Sequence, residues 1–193
     1  MAKQQTTDTA RRGGVRVYRA AEAPELHESG AATSDFSADP SLQEAATKLA
    51  SSDCSHSRLL VHQGKDEGGM SIVYLFFKPN FPLFLHKHDV DSLYVVISGS
   101  AVGFMGEETL VPGDCFSVPK GTPYYYTAGP EGVEVLEMFR DADQVTVIYT
   151  QNPEGRLEQA EEAVRANEEA WKKITAGPLY RANASAAGRV RSA

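Results

Sequence analysis

The amino-acid sequence predicts an all-β core, with a short helix before it and an amphipathic helix after it. From residue 57 to residue 150 the chain is a series of short runs rich in Val, Ile, Tyr and Phe, and Gly or Pro falls between most of them. Many short strands separated by turn residues are typical of a β-sandwich or a small barrel. No helical pattern alternates with these runs, which argues against a doubly wound parallel sheet.

The composition is that of a globular protein without nucleic-acid or membrane partners. The chain has 193 residues, of which 41% are hydrophobic and 23% charged, so we expect one domain with appendages. The formal net charge of -7 argues against binding to nucleic acid or to an anionic membrane surface. The N-terminus lacks the apolar region of a secretory signal, and no stretch approaches about 18 consecutive apolar residues. We therefore expect a cytoplasmic protein.

Changes of composition divide the chain into five segments. They are a flexible N-terminal arm (1–14), an extension with a short helix (15–56), the β-barrel (57–150), a C-terminal helix (151–178) and a flexible tail (179–193). The arm and the tail are polar or rich in small residues, which favours mobility. Within the extension, the alternation of residues 15–20 predicts a short strand, and residues 21–39 are expected to form a loop.

Two helices are predicted from their start signals and their spacing. Asp39 is a suitable N-cap and Pro40 a suitable first residue for the short helix of the extension. Asn152 and Pro153 provide the same signals for the C-terminal helix. The apolar stripe of that helix consists of Leu157, Ala160, Val164, Trp171 and Ile174. Such a stripe packs either on the barrel of its own chain or on a second subunit, and the sequence leaves both open.

A pair of histidines is the first candidate for chemistry. His86 and His88 stand two residues apart in a strand-like run, so both side chains point to the same face of the strand. If that face is the inside of a barrel, two imidazoles converge on one point. Neutral imidazole is a good ligand for divalent first-row metals, namely Fe, Zn, Mn, Ni or Cu. The alternative is an edge strand that carries two polar side chains.

Two stretches resemble the sequence motifs of the cupins. "NFPLFLHKHDVDSLYVVISG" (80–99) resembles the first motif, with His86, His88 and Gly99 at its two histidines and its closing glycine. "GDCFSVPKGTPY" (113–124) resembles the second, with Gly, Pro and Gly at the expected spacing. The resemblance implies a double-stranded β-helix barrel of the jelly-roll type. It also implies one metal ion inside the barrel and, often, a homodimer.

The sequence departs from both motifs at expected metal ligands. Ser92 stands in place of the first motif's glutamate, and Tyr124 in place of the second motif's histidine. We expect a reduced site in which Asp91, turned inward by a one-residue bulge, is a third ligand beside the histidines. Tyr124, beside the metal, is the candidate general acid or base. Glu137 is either a solvated strand residue, which we favour, or an inward-facing ligand or base.

The remaining candidate residues describe a pocket for a small molecule. Ser92, Tyr126 and Phe84 are expected to line it next to Tyr124, and such an aromatic pocket suits a flat or apolar ligand. The first hypothesis is a metal-dependent enzyme, by analogy an oxygenase, with lyase, isomerase or cyclase chemistry as alternatives. The second is a non-catalytic small-molecule-binding barrel that has lost part of its metal site. A purely structural dimer is the third.

Overall fold

The computed structural model describes residues 16–63, 69–105, 107–140, 144–151, 155–175 and 177. The predicted N-terminal arm and C-terminal tail lie outside the described residues, as do Asn152 and Pro153. The strands in chain order are β1 (Ala32–Asp35), β2 (Ser55–His62), β3 (Met70–Phe77), β4 (His86–His88), β5 (Ser92–Phe104), β6 (Glu108–Leu110), β7 (Cys115–Val118), β8 (Thr127–Arg140) and β9 (Val145–Tyr149). The helices are α1 (Leu26–Ser29), α2 (Ser41–Ser51) and α3 (Arg156–Trp171).

The larger sheet is built around two long strands, β5 and β8. Its strand order is β2-β3-β8-β5-β6, β7 also pairs with β5, and all of these pairings are antiparallel. Tyr94 lies opposite Glu137 across the β5–β8 pairing, and Val96 lies opposite Val135. Because side chains alternate between the two faces of a strand, these four residues share the inner face. This sheet confirms the predicted all-β core.

A second sheet carries the histidine pair. It has the order β1-β9-β4, in which β4 runs antiparallel and β1 parallel to β9. β1 was not expected, because its sequence, "ATSD", lacks apolar alternation and falls in the segment predicted to be a loop. The N-terminal extension therefore completes the sheet whose other edge presents His86 and His88.

The strand predicted for residues 15–20 is not formed by the described part of that range. Residues 16–19 have no regular structure, and Ala20–Glu22 form one turn of 3-10 helix. Val17 and Tyr18 are 49% and 37% exposed. The alternation was misleading because neither face of this segment is buried against a sheet.

Both predicted helices are present. The carboxylate of Asp39 accepts the backbone N–H of Ser41, which confirms its place at the start of α2. α3 begins at Arg156, later than the predicted start, after Gly155 in the left-handed conformation (φ 79°). Its buried face, which includes Ala160 and Trp171, joins the main core, so α3 packs on the barrel of its own chain.

No helix in the described ranges is long and apolar enough to cross a membrane.

Candidate functional site

His86 and His88 lie inside the barrel with their side chains together. Each residue is only 4% exposed, and the two ring centroids are 5.0 Å apart with ring planes at 84°. Backbone hydrogen bonds join His86 and Tyr124 in both directions, with N···O distances of 2.9 and 3.3 Å. Pairing of these two segments brings the first and second sequence motifs to one point. The expectation that both imidazoles share the inner face is confirmed.

The tautomer of His86 is fixed by a backbone carbonyl. Its Nδ1 lies 2.8 Å from the carbonyl oxygen of Phe84. A carbonyl oxygen only accepts hydrogen bonds, so Nδ1 carries the proton and Nε2 carries the lone pair. Burial, followed by the proximity of His88, lowers the pKa of His86 to about 3. His86 is therefore a neutral imidazole near neutral pH.

His88 is connected to a buried carboxylate through two tyrosines. Its Nε2 lies 3.2 Å from the hydroxyl of Tyr124, which donates to the hydroxyl of Tyr94 at 2.8 Å. Tyr94 in turn donates to Oε1 of Glu137 at 2.8 Å. We call this chain, from His88 through Tyr124 and Tyr94 to Glu137, the tyrosine relay. Ser92 donates to the same carboxylate oxygen at 3.2 Å.

Burial keeps the phenols of the tyrosine relay protonated. It is the main cause that raises the pKa of Tyr94 and of Tyr124 well above the usual value for tyrosine. For Tyr124, the negative charge of Glu137 is the next cause, because a second anion nearby is unfavourable. Both hydroxyls therefore have one proton each to donate. The ring of Tyr94 stacks on Phe116 with centroids 4.5 Å apart, which holds it in place.

Nδ1 of His88 is buried and has no hydrogen-bond partner. Within the described ranges it is the one buried side-chain nitrogen or oxygen atom in that condition. Leaving a buried polar atom unpaired costs about 1–3 kcal/mol, so such an atom needs an explanation. A ligand that binds Nδ1 provides one.

Comparison with known proteins gives structural neighbours only. No family model matches the sequence. No curated protein matches it either. Among solved structures, an RmlC-like cupin from Shewanella frigidimarina NCIMB 400 is 21% identical and has a TM-score of 0.40, with 47% of this chain and 78% of that one covered. KdgF from Halomonas sp. is 22% identical, with a TM-score of 0.39 and coverage of 47% and 82%.

An oxalate decarboxylase from Bacillus subtilis, described with Mn(II) centres, is 25% identical with a TM-score of 0.37. The match covers 46% of this chain and 26% of the oxalate decarboxylase chain. These structural neighbours are cupins. The likeness concerns the fold of about half of this chain, and it assigns no reaction, substrate or metal.

The metal site expected from the cupin resemblance is present only in part. The described residues contain no group of three or more His, Cys, Asp or Glu side chains placed to hold a metal ion. The hydrogen bond to the Phe84 carbonyl nevertheless leaves the lone pair of His86 on Nε2, and Nδ1 of His88 is buried without a hydrogen-bond partner. This donor set fits a first-row metal bound by two nitrogens. The other coordination positions are then left to water or substrate.

Asp91 does not join the histidines, and its prediction as a third ligand is wrong. The carboxylate of Asp91 accepts the backbone N–H of Lys120 at 2.7 Å in an exposed position. The expected bulge is absent, because Ser92 pairs in register with Val118 and Phe139 and takes the inward position. Asp89, the other carboxylate nearby, is held by the backbone N–H and the hydroxyl of Thr146.

Glu137 is the buried residue of the candidate site that the sequence interpretation undervalued. It is 5% exposed, so the favoured expectation of a solvated strand residue is wrong. The signal was its alternation with Val133 and Val135, both fully buried. Tyr94 was missed, although it stands two residues after Ser92 and so shares its inward face. The three expected pocket residues are all buried, Ser92 at 4%, Tyr126 at 2% and Phe84 at 3% exposure.

Proposed function

We propose that this protein is a cupin-type enzyme that acts on a small organic molecule with one divalent first-row metal ion. His86 through Nε2 and His88 through Nδ1 would hold the metal. The observation that carries the proposal is the buried, unpartnered Nδ1 of His88. The ring of His88 lies 5.0 Å, between centroids, from that of His86, whose hydrogen bond to the Phe84 carbonyl leaves the lone pair on Nε2. Imidazole nitrogens suit Fe, Zn, Mn, Ni and Cu, so the ion is left open among these.

The bound metal would supply Lewis acidity at positions open to a substrate oxygen. The protein supplies a set of buried proton-holding groups around that point. The hydroxyl of Tyr124 lies 3.2 Å from Nε2 of His88, and its proton is directed to the hydroxyl of Tyr94. Rotation of this hydroxyl redirects the proton to a substrate oxygen, in the role of a general acid or hydrogen-bond donor.

Proton transfer is the chemistry that the described side chains favour. Glu137 and the two phenols can hold or accept protons, which suits a lyase or isomerase. The oxygenase-type reaction expected from the sequence stays a prediction without a specific side chain in its support. The surrounding wall is aromatic, with Phe116 and Phe104 within 6.1 and 6.4 Å of the Tyr124 ring centroid. A small molecule with a flat or apolar part suits such a wall.

Metal titration tests the proposal. Metal-stripped protein is titrated calorimetrically with each of the five ions, and we expect at most one ion per chain. Simultaneous His86→Ala and His88→Ala should abolish the binding. His62→Ala is the matched control, because His62 lies on β2 and contacts Ser71 at 3.0 Å, outside the site. Absence of binding by all five ions, or equal binding by the double variant, would contradict the proposal.

A non-catalytic binding protein is the second candidate. The observation that favours it is that Glu137, whose Oε1 lies 3.8 Å from Nε2 of His88, already accepts hydrogen bonds from Ser92 and Tyr94. A barrel of this kind would bind its ligand in the presence of a chelator, with an unchanged ligand-dependent rise of the melting temperature. Loss of that rise on addition of chelator favours the enzyme instead.

The homodimer and the cytoplasmic location are also proposals. Light scattering at several protein concentrations tests the homodimer.

A further inference from the structure

We propose that Glu137 is a positioning residue that, through the tyrosine relay, sets the tautomer of His88. In this tautomer Nε2 carries the proton and Nδ1 carries the lone pair. The consequence for metal binding rests on the proposed function, whereas the tautomer itself is a property of the metal-free protein.

The direction of the tyrosine relay follows from counting protons. A carboxylate has no proton to give, so Tyr94 donates to Oε1 of Glu137 across 2.8 Å. The second donor to that oxygen, Ser92 at 3.2 Å, reinforces its role as acceptor. Tyr94 has only one proton, and it is used in this bond. The hydroxyl oxygen of Tyr94 must therefore accept the bond from Tyr124, which is 2.8 Å away.

The single proton of Tyr124 also determines which nitrogen of His88 is protonated. Tyr124 gives its single proton to Tyr94, so its oxygen is an acceptor toward His88. Nε2 of His88, 3.2 Å away, must be the donor in that contact. A neutral imidazole has one N–H, and with Nε2 protonated the lone pair falls on Nδ1. Nδ1 is the buried atom without a partner.

Different groups thus fix the tautomers of the two imidazoles. The Phe84 carbonyl places the proton of His86 on Nδ1. The carboxylate of Glu137 favours the proton of His88 on Nε2, both through the three hydrogen bonds of the tyrosine relay and by its own charge, since Oε1 lies 3.8 Å from Nε2. The lone pair of His86 is then on Nε2 and that of His88 on Nδ1. Nδ1 of His88 can therefore bind a metal ion without first losing a proton. The hydrogen bonds from Glu137 to His88 run through Tyr94 and Tyr124, because the direct separation of 3.8 Å is too long for a hydrogen bond.

Nitrogen NMR on the metal-free, ¹⁵N-labelled protein tests the inference directly. Two-bond correlation spectra distinguish a protonated ring nitrogen from one with a lone pair, and we expect His88 to show a protonated Nε2 and an unprotonated Nδ1. His86 is the internal reference and should show the reverse pattern. This first measurement requires no substitution. A protonated Nδ1 on His88 of the wild-type protein would overturn the inference.

Tyr94→Phe provides the second arm. Tyr124 loses its acceptor in this variant, its proton turns toward Nε2 of His88, and the protonated signal of His88 should move to Nδ1. Tyr126→Phe is the matched control, because Tyr126 is equally buried and lies outside the tyrosine relay; it should leave both patterns unchanged. An unaltered His88 pattern in Tyr94→Phe, with His86 still in its native pattern, contradicts the relay.

Metal titration of the same samples separates this inference from the proposed function. If the wild-type protein shows the expected tautomer but binds none of the five ions, the proposed metal site fails and the tautomer assignment stands. If it binds an ion while His88 shows the opposite tautomer before titration, the relay fails and the metal site stands. If the wild-type protein shows the expected tautomer and also binds an ion, Tyr94→Phe should bind that ion more weakly than Tyr126→Phe does.

Discussion

The hydroxyl of Tyr124 lies 3.2 Å from Nε2 of His88, and Tyr124 occupies the position at which the cupin second motif has a histidine. Position 124 lies at the centre of the candidate site, since the Tyr124 backbone pairs with that of His86. Its side chain is a phenol that takes part in the tyrosine relay and offers no nitrogen ligand. Introducing a histidine here should therefore add a ligand.

Tyr124→His is expected to raise the affinity of the site for divalent first-row metals. The Tyr124 ring centroid lies 4.4 Å from that of His86, so an imidazole at position 124 adds a nitrogen donor on the His86 side of the site. A third nitrogen ligand should outweigh the loss of the tyrosine relay, and we expect a gain of at least about tenfold, or about 1.4 kcal/mol. Calorimetric titration of the metal-stripped variant measures it.

Tyr125→His is the control, because the neighbouring side chain points the other way along the chain and its ring lies 5.1 Å from the guanidinium of Arg156. Equal affinity of the Tyr124→His variant and the wild-type protein would show that position 124 does not face the metal.

Gly99→Ala is expected to be strongly destabilising, whereas Gly103→Ala is not. Both glycines have positive φ, 69° and 63°, so both variants carry the strain of a left-handed alanine, about 1–2 kcal/mol. At Gly99 a Cβ would also overlap the carbonyl oxygen of Gly132, and at Gly103 it would meet nothing within 4 Å. Urea unfolding should show an extra loss of about 2 kcal/mol or more at position 99. Equal losses in the two variants would mean that the backbone contact with Gly132 is not made.

The sequence predicted the fold better than the site, and Gly99 illustrates the reason. The closing glycine of the first motif, Gly99, reflects a close approach of two backbones, and such a feature can be recognised from a residue type and its spacing. The histidine pair was recognised in the same way, from a separation of two residues on a strand. Local rules suffice for both.

The errors at the site have a different origin, because they depend on which strands are neighbours. Glu137 is buried since Tyr94 and Ser92, on another strand, provide its hydrogen bonds, and the sequence alone does not show that pairing. Asp91 points away because the β5 register gives the inward position to Ser92. β1 is a strand because it pairs with β9 and not because of any apolar alternation of its own.

Arg156 is expected to be one of the most important residues for anchoring α3. Its guanidinium is nearly buried and donates to the backbone carbonyls of Leu83 and Tyr126 and to the hydroxyl of Thr127. Arg156→Ala removes the donors to the half-buried Leu83 carbonyl and Thr127 hydroxyl, whereas the Tyr126 carbonyl keeps the backbone N–H of Leu83. This loss should cost about 1–3 kcal/mol of unfolding free energy. Arg156→Lys should recover little, because an ammonium group cannot reproduce the planar fork.

Arg165→Ala is the matched control on the same helix. Arg165 pairs with Glu162, but both side chains are well exposed, at 65% and 70%, so the loss should stay within about 0.5 kcal/mol. Chemical denaturation of the three variants measures these effects. A loss at Arg156→Ala no larger than that at Arg165→Ala would contradict the anchoring role.

Acid sensitivity of the fold is expected to depend on His86. Its pKa is lowered to about 3 by burial, whereas an unfolded histidine titrates near about 6.5. The unfolded chain therefore binds a proton that the folded protein does not bind, and stability falls as the pH decreases from about 6.5 toward about 3. Between pH 7 and 4.5 this one group should account for roughly 2–3 kcal/mol of lost unfolding free energy. Urea unfolding at the two pH values measures the loss.

His86→Gln removes the titrating ring and should reduce the pH dependence of the free energy of unfolding over that interval, whatever its effect on stability at pH 7. His27→Gln is the control for the loss of an imidazole outside the site, because His27 is exposed on α1. The reduction of the pH dependence should be larger in His86→Gln than in this variant. An equal acid-induced loss in the wild-type protein and in His86→Gln would show that this imidazole is accessible to protons in the folded state. It would also contradict its burial in the neutral form, on which the proposed role as a metal ligand depends.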